Sequence, residues 1–358
     1  MRRKERHIAN GAIIGFGFVG LIDIILQWVE HKDSGKDFTW ESYNGLRTVK
    51  RGLVGAVAGG GIGYLVYEYK ISEEEKLPFN SDEYLKKVLT SENLKADPAL
   101  FQNVITYREK MKRWLVDKFG NKLAAPPEDG GSFYKKTAIA SNYDLDIVLP
   151  FKKDSYVTLE DMYNDVYEKL GKRFENKATI TKGTKAINLA FENDGNPVCF
   201  DIVPGRERFN YIKDRDLNLF VRPDWVWQKG SSFKTNVFTQ KSITVNKPEA
   251  RRIIKLLKKY RDRNGLPLPT VIVEQCVVEA LSENKFGIYA SDTENLLNGM
   301  NHLAQKLENK RIIDIANSNN NLSDKVSDHY KTHISEQLRN DISKIEANPR
   351  YIKEIFEC

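Results

Sequence analysis

Gly130–Ile147 reads GGSFYKKTAIASNYDLDI: two glycines and a serine, then a mixed stretch, then two aspartates separated by one residue. Gly130, Gly131 and Ser132 let backbone N–H groups approach an anion closely, with the serine hydroxyl as a further donor, as in an anion-binding nest. In a strand successive side chains alternate, so Asp144 and Asp146 of DLDIVLPF share one face while Leu145 and Ile147 point into the core. Two carboxylates on one face repel unless a cation lies between them, and Mg²⁺ takes one or two carboxylates together with waters and substrate phosphates. Alone, D-x-D on an exposed strand face is more often a solvated pair, so its meaning depends on its surroundings.

Downstream, AINLAFE and PVCFDIVPG read as two strands joined by the turn sequence NDGN. Asp201 sits in the second, with Phe200 and Ile202 turned to the opposite face, and a charge in an apolar alternating strand needs a reason. Brought beside Asp144 and Asp146 by sheet pairing, a third carboxylate makes a two-metal site, with Asp201 as metal ligand and activator of an attacking hydroxyl. Further on, EARRIIKLLKKYRDRNG has helical periodicity that places Lys258 at the edge of the buried face next to Ile254, with Lys255 and Lys259 outward. A lysine there lays its stem on the core and presents its ammonium to a cleft, or is an ordinary snorkelling residue; periodicity does not choose.

Asp97–Pro98 supplies a helix N-cap followed by proline at the first helical position, and ALFQNVITYREKMKRWLVDKF continues as one long helix to Gly120. YVTLEDMYNDVYEKLGKRF reads as a helix after the aspartate pair. From Pro248 the chain reads as mostly helical, including TVIVEQCVVEALSE. The expected class is α+β, a mixed sheet with helices followed by a helical domain. The expected division is an apolar hairpin over 1–70, a catalytic palm with its leading helix over 71–245, and a helical domain over 246–358.

GSFYKKT, then DLD, then FDIVPG on a separate strand resembles the nucleotidyltransferase superfamily that includes DNA polymerase beta. Within it the match is to the branch containing oligoadenylate synthetases, cyclic GMP-AMP synthase and the bacterial CD-NTases, over about Phe101 to Ile345. The resemblance implies Asp144, Asp146 and Asp201 as catalytic ligands of two Mg²⁺ or Mn²⁺ ions. It implies Gly131 and Ser132 on the β- and γ-phosphates, Thr137 steadying that loop, and Lys258 with Thr270 contacting the triphosphate from the helical domain. The implied activity is joining of NTPs or dNTPs into a short linear or cyclic oligonucleotide, as a signal in antiphage defence. Transfer of a nucleotide to a protein or tRNA acceptor, and an inactive nucleotide-binding scaffold, are the alternatives. The segment from Thr184 to Ala190 carries no base-reading signature, so base and sugar stay open.

The composition fits. With 41% hydrophobic and 29% charged residues the 358-residue chain is a folded protein rather than a disordered one, and a net charge of +7 suits a polyanionic ligand. Cys199, Cys276 and Cys358 have no metal-ligand spacing and are odd in number, which points to a reducing cytoplasm for the catalytic domain. His329 and His333 share a helix face but lack further ligands, so they read as solvated.

The first seventy residues differ. Ile8–Val29 is apolar nearly all round a helix behind Arg2, Arg3, Lys4 and Arg6, and Gly52–Tyr67 is a second apolar run with Gly52, Ala56 and Gly60 at four-residue spacing. One reading is a membrane hairpin with small-residue packing and a cytoplasmic basic start. The other is a glycine-rich hairpin held by protein, such as an effector. Against the membrane, Asp23 in hydrocarbon would cost about 3 kcal/mol or more, and the second run is shorter than the roughly 20 residues a span needs. Nothing reads as a secretory cleavage site.

Overall fold

The computed structural model describes residues 79–192, 198–223, 230–283 and 288–356; the N-terminal apolar hairpin lies outside them. Asn80 to the C-terminus is one compact unit. Among the described residues no helix is long and apolar enough to cross a membrane.

Helix α1 (Ser81–Ser91) opens the described chain, and α2 (Pro98–Phe119) follows. The Asp97 side chain accepts from the Leu100 amide at 3.0 Å and Pro98 takes the first turn, so the N-cap reading holds. Val104, Met111, Leu115 and Phe119 recur on one face of α2 and are buried. A short strand β1 (Glu128–Asp129) leads through Gly130 into a single-turn helix α3 (Gly131–Lys135) and then β2 (Leu145–Phe151). Helix α4 (Leu159–Phe174) starts at a capping box in which Thr158 and Asp161 exchange hydrogen bonds.

Strands β3 (Thr179–Lys182), β4 (Ile187–Phe191) and β5 (Val198–Glu207) complete the central sheet, in the order β1-β2-β5-β4-β3. β2 and β5 run parallel and the other pairs antiparallel, which makes the sheet mixed as expected. After a short helix α5 (Tyr211–Asp214), β6 (Asp216–Val221) and β7 (Ser231–Asn236) extend the sheet from the far end of β5. Leu145, Ile147, Leu149, Phe200 and Ile202 face α2 and α4 and fill the core on that side. The opposite face carries Asp146 and Asp201, and further along Val148, Leu217 and Leu219 in a smaller cluster.

Helices α6 (Val237–Ser242), α7 (Pro248–Arg263), α8 (Thr270–Glu283), α9 (Asp292–Glu308), α10 (Asp328–Ala347) and α11 (Ile352–Ile355) follow. α7, α8, α9 and α10 share one apolar core with α1, which sits there although it precedes the sheet in the chain. A hairpin of β8 (Ile313–Asp314) and β9 (Asn317–Asn321) interrupts this helical stretch and was not foreseen.

Two expectations change. β2 begins at Leu145, so Asp144 precedes the strand instead of lying in it. β1 leaves the sheet at Gly130, whose amide donates to the Asp146 carbonyl at 2.9 Å, so Asp144 has no flanking strand on that side. Lys255 and Lys259 do not face outward: α1 and the chain after it cover that side of α7, where Lys259 pairs with the buried Glu92.

Candidate active site

The parallel register of β2 and β5 sets Asp146 directly beside Asp201, and the antiparallel register of β4 sets Asn188 on the other side of Asp201. The three side chains form one row across the sheet, because directly paired residues share a face. Asn188 Nδ2 donates to Asp201 Oδ1 at 2.6 Å, which fixes the orientation of that carboxylate. Asp144 and Asp146 line a cleft of about 330 Å³ together with Gly131, Ser132 and Tyr143 from the sheet side. Its other wall brings Lys258 and Arg261 of α7 and Thr270 at the start of α8.

Gly131 is the one position of the turn where no other residue fits. Its φ is +54°, and a Cβ there would lie 1.5 Å from Asp146 Oδ2. The turn is thus pressed against the carboxylate, and the Ser132 carbonyl closes it by accepting from the amides of Thr137 at 2.9 Å and Ala138 at 3.1 Å.

Charge is concentrated here at an energetic cost. Burial, then the neighbouring Asp201 charge, pushes Asp146 up to about 7. Asp144 is raised by burial, with Lys258 opposing, and Asp201 is raised by burial, with the Asn188 hydrogen bond opposing and the Asp144 charge adding. Burial brings Lys258 down to about 8. Lys258 is 3% exposed, and its ammonium donates to the Thr137 carbonyl at 3.0 Å.

Of the residues singled out in the sequence, Asp144, Asp146, Gly131, Ser132, Lys258 and Thr270 meet at this cleft. Asp201 stands beside Asp146 on the next strand. Thr270 Oγ1 accepts from Arg261 Nη1 at 2.7 Å, which fixes the hydroxyl while its own O–H can still donate. Thr137 is fully buried behind the turn, where its hydroxyl donates to Glu274 Oε1 at 2.9 Å. Lys135, Glu274 and Asn188 were not singled out. Glu274 carried the same signal as Asp201, a charge inside an apolar run, TVIVEQCVVEAL.

Among the described residues no group of three or more His, Cys, Asp or Glu side chains stands as a ready-made metal site. The donor chemistry nevertheless suits a hard cation. Asp144, Asp146 and Asp201 are each raised by burial, and Asp146 and Asp201 also by neighbouring carboxylate charge, a cost that a bound dication would relieve.

No protein-family model matches the chain, and no curated protein matches it. Solved structures do. CdnG, a CD-NTase from Bradyrhizobium diazoefficiens determined with GTP, aligns over 78% of this chain and 95% of its own at TM-score 0.63 and 14% identity. CdnC of E. coli MS115-1 determined with ATP aligns over 74% and 91% at TM-score 0.59 and 15% identity. The same CdnC in its complex with HORMA-deltaN aligns over 68% and 85% at TM-score 0.53 and 16% identity. At these identities the likeness is one of fold, and the fold of this chain is that of the CD-NTases, the nucleotidyltransferase fold that the aspartate and Gly-Ser motifs led us to expect.

Proposed function

We propose that the chain is a metal-dependent, template-independent nucleotidyltransferase that joins NTPs or dNTPs into a short linear or cyclic oligonucleotide. The observation that carries this reading is Asp146 in lateral register with Asp201, with Asp144 just ahead of it, where Asp144 and Asp146 line a cleft whose far wall supplies Lys258. We assign residues 71–245 to the palm and 246–358 to the helical domain, with α1 of the first packed into the core of the second. Residues 8–67 are proposed as the contact to a membrane or an effector protein. The role as an antiphage signal rests on likeness to the CD-NTases.

Asp144, Asp146 and Asp201 would hold two Mg²⁺ or Mn²⁺ ions, which supply charge stabilisation for the attacking and leaving oxygens of an in-line displacement. The backbone N–H groups at Gly131 and Ser132 and the serine hydroxyl bind the β- and γ-phosphate oxygens. Lys258 and Thr270 close on the triphosphate from the opposite wall, so the α-phosphate is presented in one orientation. Asp201, oriented by Asn188, accepts the proton of the attacking 3′-hydroxyl. Pyrophosphate leaves along the Ser132–Lys258 side.

Joining two nucleotides requires two places. A second cavity of about 250 Å³ meets the first at Gly131, Lys135 and Asp146. Val148, Val203, Leu217 and Leu219 supply apolar surface there, and Lys185 and Lys325 stand among its walls. Such a cavity suits a base and its phosphates, with Asp146 between the two positions.

The test is to incubate purified protein with Mg²⁺ or Mn²⁺ and each labelled NTP and dNTP, with and without tRNA, and to resolve products by gel and mass spectrometry. Short oligonucleotides are expected. Label only on tRNA or protein would replace this reading with transfer to an acceptor, and tight binding without pyrophosphate release would mark an inactive scaffold.

A further inference from the structure

In the wall of the cleft, beside Ser132 and Lys258, lies an ionic cluster that the scheme above leaves unused. Glu274, in the middle of the apolar helix α8, is 1% exposed among Ile272, Val273, Cys276 and Val277. Both of its oxygens are taken by the segment that begins with the phosphate-binding turn. The Thr137 hydroxyl donates to Oε1 at 2.9 Å, and the Lys135 ammonium donates to Oε2. Thr137 in turn holds both neighbours: its amide donates to the Ser132 carbonyl at 2.9 Å, and its carbonyl accepts from Lys258 at 3.0 Å.

One carboxylate from α8 therefore fixes the segment that carries Gly131 and Ser132, and that segment fixes the lysine of α7. An apolar side chain of similar volume would fill the same space without the desolvation penalty of a buried ion pair. What the pair adds is register, because a carboxylate satisfied on both oxygens has one acceptable position and an apolar contact has many. The two walls must grip one triphosphate, and a displacement of about 1 Å between them is enough to lose alignment.

We propose that the Lys135–Glu274 pair, with Thr137 on the same carboxylate, is a positioning device that holds the Gly131–Ser132 turn in register with Lys258 so that both walls engage one triphosphate. The inference rests on the nucleotidyltransferase reading of this cleft. Lys135 and Glu274 both line the cleft, and the role assigned to them is exerted through the turn and through Lys258, as positioning residues.

Three variants test it: Lys135→Arg, which keeps the charge; Glu274→Gln, which keeps the acceptor for Thr137; and Lys135→Met/Glu274→Gln, which removes both charges and leaves neither unpaired. Each is measured for thermal unfolding, for kcat and KM, and for affinity towards a nonhydrolysable NTP analogue with Mg²⁺ by titration calorimetry. The double variant is expected to unfold cooperatively near the wild-type temperature while kcat falls about 10- to 100-fold and KM changes less, and Lys135→Arg to stay within about threefold of wild type. A double variant with wild-type kcat and analogue affinity overturns the proposal, as does a Lys135→Arg variant as impaired as the double one. If Glu274→Gln fails to fold, the double variant alone decides. A wild type that binds the analogue but makes no product or pyrophosphate overturns the function reading instead. The inference is then decided by affinity, which is expected to fall about tenfold in the double variant and overturns it if unchanged.

Discussion

Replacing Asp146 with asparagine keeps the shape of the side chain and removes a charge that the fold holds at a disadvantage. Burial and the Asp201 charge raise its carboxyl from 3.8 to about 7. A rise of about three units at about 1.4 kcal/mol each means that the ionised form costs about 4 kcal/mol in the native state. The sign follows from proton binding: between pH 4 and pH 7 the native protein holds more protons at this site than the unfolded chain, so stability falls as pH rises through that window and levels off above it. Asp146→Asn has no such slope. Its stability relative to wild type is expected to grow from about 1.5 kcal/mol at pH 5 to about 4 kcal/mol at pH 8. Urea unfolding of both proteins in EDTA at pH 5, 6, 7 and 8 measures the difference directly. Adding Mg²⁺ at pH 8 should stabilise wild type, by about 2.7 kcal/mol at a hundredfold excess over its dissociation constant, and leave Asp146→Asn nearly unchanged. A stability difference that does not vary with pH, or an asparagine variant less stable than wild type at pH 8, would refute the reasoning.

Gly131→Ala meets both a left-handed backbone and a Cβ 1.5 Å from Asp146 Oδ2, so the turn must move; loss of nucleotide incorporation and a stability loss of about 1–3 kcal/mol are expected, read by product assay and thermal unfolding. Lys258, brought down to about 8 by burial, loses its ammonium above that pH, so the KM for NTP should rise there in wild type and be high and flat in Lys258→Met. Between pH 8 and 10.5 the native state holds fewer protons at Lys258 than the unfolded chain, so this group contributes stability that increases with pH, which urea unfolding of Lys258→Met should show as a lost slope. Leu149→Ala, in the core between β2 and the two helices, should cost about 2–5 kcal/mol without changing the pH dependence of either site group.

What the sequence made legible were the features with short-range causes. Asp97–Pro98 announced α2 because capping is local chemistry, and the alternation in DLDIVLPF and VCFDIVPG announced β2 and β5 because each buries one whole face. β3 and β7, TITK and SSFKTN, bring only Ile180, Phe233 and Thr235 inward and are too short and polar to show such a pattern. The β8–β9 hairpin is equally polar, NSNNN in its second strand, and is held by the fold around it. In the site, the aspartates and the Gly-Ser turn were visible as motifs. Asn188 was not, because its role comes only from lying opposite Asp201 in the neighbouring strand. Helical periodicity turns Lys255 and Lys259 outward because it gives only the face of a residue, and α1 returns from elsewhere in the chain to cover that face.

The most direct test of the account is pyrophosphate release from NTPs with Mg²⁺, comparing wild type with Asp144→Ala/Asp146→Ala. The account predicts release by wild type, with short oligonucleotide as the second product, and none from a double variant that still unfolds cooperatively. Release by the double variant at the wild-type rate, or no release by wild type with any NTP or dNTP, would contradict it.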